Sequence, residues 1–151
     1  MKRILSTPLY FLFFLSLLLS IISCKKSDTS NPSNSFNFVY DGNTYTSNHD
    51  TATQYSPEIV LEAYIPNCPI HDVNFQLTSS NVGQYDLITG SGNSTLYVDN
   101  LGNPLNKISG SVNITANTNN RLSGNFNVIV KDMSNVTHIT SGNFIDMPIV
   151  P

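Results

Sequence analysis

The chain has 151 residues, of which 11% are charged, and its formal charge is −3. The acidic balance argues against a nucleic-acid binder, two cysteines exclude a disulfide scaffold, and the length argues against several domains. Twenty Asn, 19 Ser and 13 Thr make the surface polar without charge. These side chains compete with helical backbone hydrogen bonds, so the composition favours strands and turns.

The chain starts with a positive stretch, Met1-Lys2-Arg3, followed by a 14-residue uncharged run, Leu9 to Ile22. Spanning a bilayer takes about 20 apolar residues, so this run fits the apolar region of a signal peptide. It ends in Ile21-Ile22-Ser23-Cys24, which resembles the bacterial lipobox. The resemblance implies that Cys24 is lipidated, with cleavage after Ser23. Residues 1–23 are then the signal peptide, and the membrane is a partner through the lipid on Cys24. Two or more acyl chains anchor stably where one does not. Lys25 and Lys26 follow, suited to lipid headgroups. By resemblance to lipoprotein sorting, Lys25 in place of Asp implies the outer membrane, with the periplasmic or cell-surface face left open. The mature chain keeps five bases against ten acids, a formal charge of −5.

Residues 24–35 form the lipidated Cys and a flexible linker. No aliphatic or aromatic residue lies between Lys25 and Ser35 to offset ordering entropy. Its root-mean-square reach is about 19 Å. Residues 36–151 then form one domain.

Strand signals fill that domain. Phe36–Tyr40 and Asn43–Ser47 flank Asp41-Gly42, whose tolerance of positive φ suits a type I′ hairpin turn. A two-residue loop sets Tyr40 against Asn43 and Phe38 against Tyr45. Ile59, Leu61, Ala63 and Ile65 alternate with Glu58, Glu62 and Tyr64. Val73, Phe75 and Leu77 alternate with Asn74 and Gln76. Shorter strands are predicted at 85–89 and 95–98.

The last third carries an internal echo. Residues 108–116 (ISGSVNITA) and 122–130 (LSGNFNVIV) match in pattern, and Ser141-Gly142-Asn143-Phe144 repeats their centre. The pattern predicts a three-stranded antiparallel meander. Ile108, Gly110, Val112 and Ile114 should face inward, with Leu122, Gly124, Phe126, Val128 and Val130. Inward glycines permit close backbone approach. Ile139 and Phe144 are out of phase, and a bulge near Ser141-Gly142 would bring both inside. The fold expected is all-β: one antiparallel β-sandwich or small barrel of about 8–9 strands.

The runs Gly83-Gln-Tyr-Asp-Leu87, Ile108–Thr115, Leu122–Phe126 and Ile139–Phe144 resemble small uncharacterised Bacteroidota lipoproteins. That resemblance implies a β-rich fold and a lipid anchor, and it brings no activity. The start Lys25-Lys26-Ser27-Asp28 partly resembles their surface-export signals. Asp50-Thr51-Ala52 resembles their O-glycosylation sequence, which implies Thr51 as the acceptor.

No candidate chemistry stands out. Cys68 and His71 have Cys-x-x-His spacing, yet structural zinc wants four ligands. His49 and His138 would have to complete the set through tertiary contact. Glu58 and Glu62 share a strand face with Cα atoms roughly 13 Å apart, too far for a glycosidase pair. His49-Asp50 and His71-Asp72 are adjacent pairs, which a regular strand points to opposite faces. Asp99-Asn100-Leu101-Gly102-Asn103 lacks the spacing of a calcium loop and reads as a turn. No phosphate-binding or dinucleotide fingerprint occurs, so no cofactor and no metal are expected, and no enzyme. Tyr40, Tyr45, Tyr55, Tyr64 and Tyr97 are candidates for a sugar-stacking face. The expected function is a lipid-anchored, non-catalytic binding or structural module of the cell envelope. The alternative is glycan or small-ligand binding through such a Tyr face, with the protein or glycan partner unspecified.

Overall fold

The computed structural model describes residues 35–151. The expected signal segment, Cys24 and the lysine pair lie outside them. Ten strands are present: β1 (Ser35–Tyr40), β2 (Asn43–Thr46), β3 (His49–Tyr55), β4 (Glu58–Tyr64), β5 (Ile70–Leu77), β6 (Gly83–Asp86), β7 (Ser94–Asp99), β8 (Pro104–Thr118), β9 (Arg121–Lys131) and β10 (Thr137–Val150). No helix occurs among the described residues.

The β1–β2 hairpin has the expected register, Tyr40 opposite Asn43 and Phe38 opposite Tyr45. Asp41 and Gly42 both adopt positive φ, 46° and 83°, as a type I′ turn demands. One strand was not expected. In β3 the inward positions are Asp50, Ala52 and Gln54, so no apolar alternation marks it. It forms because β4 offers a complete antiparallel partner, His49 opposite Tyr64 through Tyr55 opposite Glu58.

Two antiparallel sheets face each other. The first runs β2-β1-β10-β9-β8-β6. The second runs β3-β4-β5-β7. The long strands β8 and β10 belong to both. The start of β8 pairs with β7, and the end of β10 runs parallel to β3. The ring β3-β4-β5-β7-β8-β9-β10 therefore closes into a seven-strand barrel, with β1, β2 and β6 added outside the ring.

The corners are made by bulges, which bend a strand and increase its twist. Register shifts fall between Lys107 and Ser109 and between Ile114 and Ala116 in β8, and between Phe144 and Met147 in β10. Two expectations change as a result. Ile108 sits at the first shift and is 47% exposed rather than inward. Pairing runs without interruption through Ser141-Gly142, so the expected bulge there is absent. Thr140, Gly142 and Phe144 take the inward phase, and Ile139 is 60% exposed.

Between the sheets the core is aromatic at its centre. The Phe126 ring lies 5.3 Å from Phe36 and 4.9 Å from Phe75, centroid to centroid. Phe38 and Phe75 each approach Tyr97 at 6.0 Å. Phe36, Phe38, Phe75 and Phe144 are fully buried, and each such side chain contributes about 1.5–3 kcal/mol of burial.

Candidate functional site

The loops at one end of the barrel gather a set of polar and aromatic side chains. In β5 the pairing shifts between Ile70 and Asp72. This shift turns His71 and Asp72 to the same outer side, so the expectation that they point apart is corrected. His71 Nδ1 lies 3.4 Å from Asp72 Oδ2, and His71 Nε2 lies 2.6 Å from the Tyr64 hydroxyl. The Tyr64 ring also meets the imidazole edge-to-face at 4.2 Å. With the ring proton on Nδ1, the Tyr64 hydroxyl donates to Nε2 and Nδ1–H points to Asp72, one consistent chain.

Two recesses meet at Tyr64. The first, ≈ 670 Å³, lies on the outer face of the second sheet, lined by residues including His49, Glu62, Tyr64, Asp72, Asn74 and Leu96. The second, ≈ 450 Å³, lies at the barrel end, lined by residues including Tyr45, Tyr64, Pro66, Cys68, His71 and Asn100. The floor of the sheet face is cross-linked by amides. Asn74 Nδ2 donates to Glu62 Oε1 at 3.0 Å and Gln76 Nε2 to Glu58 Oε2 at 2.7 Å. The two glutamates therefore have separate partners and do not act as a pair.

A second cluster closes the barrel end. His138 Nδ1 lies 2.7 Å from Asp41 Oδ2, and His138 Nε2 lies 3.3 Å from Asp132 Oδ2. The imidazole stacks on Tyr40 with centroids 4.9 Å apart. Burial would lower the His138 pKa, but hydrogen bonds and charge from Asp41 and Asp132 outweigh it and raise it. The Tyr40 hydroxyl is pushed up to about 12, first by burial and then by Asp41 and Asp132. The two carboxylates sit on opposite ring nitrogens, so they cannot share a cation with the ring. Their chemistry is that of a cross-brace between the β1–β2 tip and the β9–β10 turn.

Cys68 is 4% exposed, in the loop between β4 and β5. Burial pushes its thiol pKa up, against a smaller lowering by the Ile70 backbone. It shares a recess with His71, whereas His138 is engaged with Asp41 and Asp132. The tyrosines divide: Tyr97 is in the core, Tyr40 stacks on His138, Tyr55 is exposed at the β3–β4 turn, and Tyr45 and Tyr64 share a recess. Thr51 is mid-strand in β3, half-buried opposite Glu62. Asp99 folds its own turn, accepting from the Leu101 and Asn103 backbone amides at 2.9 and 2.8 Å. Those bonds lower its pKa, led by Asn103.

A family model described as Domain of unknown function (DUF6252) matches residues 32–148, the span that carries nearly all ten strands. The chain belongs to this family. No curated protein and no solved structure matches it.

Sequence reasoning missed two groupings in this DUF6252 chain. Asp41 and His138 are 97 residues apart, and no local signal connects them. The contact of His71 with Asp72 depends on a register shift that only pairing with β7 creates.

Proposed function

We propose that this DUF6252 chain is a lipoprotein of the cell envelope, tethered to the outer membrane through Cys24, whose domain is a non-catalytic binding module. The tether is supported by Ile21-Ile22-Ser23-Cys24 after an apolar run, with Lys25 rather than Asp next. The observation that carries the binding reading is the junction of two recesses at Tyr64. An aromatic face, amides and a hydrogen-bonded imidazole converge there without an activated nucleophile. The nearby thiol is buried with a raised pKa, and Glu58 and Glu62 are engaged by amides, which favours recognition over turnover.

A second reading is glycan binding at this junction. It is favoured by Tyr45 and Tyr64 lining one recess with Asn67 and Asn100, since aromatic faces and amides together suit a sugar ring.

Mass spectrometry of the mature N-terminus after palmitate labelling tests the tether. Acylated Cys24 is expected, with label lost in Cys24→Ser. An uncut leader on a freely soluble product overturns it. Titration with short neutral oligosaccharides, followed by Tyr ring shifts in NMR, tests the recess. The glycan reading expects shifts at Tyr45 and Tyr64 that Tyr64→Ala removes. Absence of shifts with every sugar overturns that second reading.

A further inference from the structure

The outward face of the first sheet, opposite to the recesses, carries an ordered set of uncharged side chains. Directly opposed positions run Thr46–Asn37, Asn37–Asn143, Asn143–Asn125, Asn125–Asn113 and Asn113–Gln84. One amide or hydroxyl from each of six adjacent strands thus stands in line, about 4.8 Å from the next. A neighbouring line runs Thr44, Val39, Ser141, Asn127, Ser111 and Asp86. Asp86 is the single charge in the two lines, at the sheet edge, and it accepts from Gln84 at 2.8 Å.

Hydrogen bonds between these groups fall at the ends of the lines. Thr46 donates to Asn37 at 3.1 Å, but among the described residues the side chains of Asn113, Asn125 and Asn143 make no hydrogen bond. Each amide therefore presents donors and an acceptor to whatever lies on the sheet. Along β10 the outward sequence is Ile139, Ser141, Asn143, Ile145. Its aliphatic ends are 60% and 46% exposed, so apolar contacts flank the polar lines.

Charge narrows the occupant. Residues 35–151 hold three bases (Lys107, Arg121, Lys131) against nine acids, a formal charge of −6. A polyanion finds no cation in the two lines, and a second copy brings a second −6. A neutral polyol fits on both counts. Its hydroxyls donate and accept as the amides do, and the CH faces of its rings suit Ile139 and Ile145.

We propose that this face binds an extended neutral polysaccharide laid across the strands along Asn37, Asn143, Asn125 and Asn113. The site goes beyond the Tyr64 recesses and lies on the other sheet.

The test is co-sedimentation of the full chain, purified in detergent, with cellulose, chitin and an insoluble β-1,3-glucan. Depletion by at least one solid is expected, unchanged by molar salt. The triple variant Asn113→Ala/Asn125→Ala/Asn143→Ala should bind at least about tenfold more weakly, as expected for three lost hydrogen bonds. Asn125→Arg, a single change at an exposed position, should lose binding while melting like the parent, which covers the case of a triple variant that fails to fold. Met133→Ser, a change at an exposed position in the β9–β10 turn outside both lines, should bind normally. The proposal is overturned if no solid depletes the folded chain, if salt removes binding, or if the Asn variants bind like the parent. It is also overturned if the same variants instead abolish a concentration-dependent dimer, which would assign the face to a second copy.

Discussion

Phe126 on β9 stands directly opposite Gly142 on β10, and its ring fills the space that a side chain at 142 would take. The arrangement is reciprocal. Phe144 stands opposite Gly124, with its ring over that glycine. The repeated Ser-Gly-Asn-Phe thus places a glycine on one strand beneath a phenylalanine from the next, and two rings of the aromatic core, Phe126 and Phe144, are seated this way.

Gly142→Ala is therefore expected to destabilise by roughly 1–3 kcal/mol, the usual cost of overpacking, because the new methyl meets the Phe126 ring and the Asn37 carbonyl. Gly42→Ala should act by another route. At φ +83° its added Cβ meets nothing within 4 Å, so the cost is backbone strain of about 1–2 kcal/mol. Urea unfolding of both variants checks this. An additional Phe126→Leu should relieve Gly142→Ala only in part, because the clash with the Asn37 carbonyl remains, and should leave Gly42→Ala unaffected.

Thr140 and Tyr97 share a buried hydroxyl contact. Thr140 Oγ1 donates to the Val128 carbonyl at 2.9 Å and lies 3.2 Å from the Tyr97 hydroxyl. Burial raises the Tyr97 pKa, against a smaller lowering by Thr140. Thr140→Val strands the phenol and should cost about 1–3 kcal/mol, whereas Tyr97→Phe removes a net hydrogen bond and should cost about 0.5–1.5 kcal/mol. In the double variant the two losses should be less than additive, as a thermodynamic cycle by chemical unfolding will show.

His138 should make stability fall as pH rises above about 6.5. Its folded pKa is raised, so its contribution is complete below the unfolded value of about 6.5 and is lost as pH rises through the folded value. Asp132 works on the acid side. Its pKa is lowered, first by the Val136 backbone hydrogen bond and also by His138, so its contribution is lost as pH falls through the folded value. The melting temperature should therefore be lower at about pH 8.5 than at about pH 6. His138→Asn should flatten that limb. An unchanged slope in the variant would place the dependence elsewhere.

Cys68 should be a slow thiol. Its 4% exposure and raised pKa leave little accessible thiolate. Labelling by a disulfide reagent should be slow in the native chain and complete within the mixing time in denaturant. Cys68→Ala should leave the Tyr64–His71 contact intact, checked by the imidazole resonances.

Much of the sheet was readable because period-two alternation is a local property. Leu61 and Phe75 announce their faces by the residues either side of them, and Asp41-Gly42 announces its turn by the φ values it tolerates. The Ser-Gly-Asn-Phe echo likewise showed a meander before any pairing was known. β3 escapes because Asp50 and Gln54 occupy inward positions. Ile108 is turned out by the shift beside it, and Ile139 stays out because the shift expected at Ser141-Gly142 is absent, since a slip of one residue reverses every face beyond it.

The sequence alone determined the class of structure, its hairpin and its meander, since each depends on residues within a few positions of one another. Only the tertiary structure decided that the sheets close into a barrel, that Asp41 meets His138, that His71 turns beside Asp72, and that four asparagines from four strands stand in line. Those outcomes depend on bulges and on pairing between distant strands, where the free energy belongs to the partner surface and leaves no local trace.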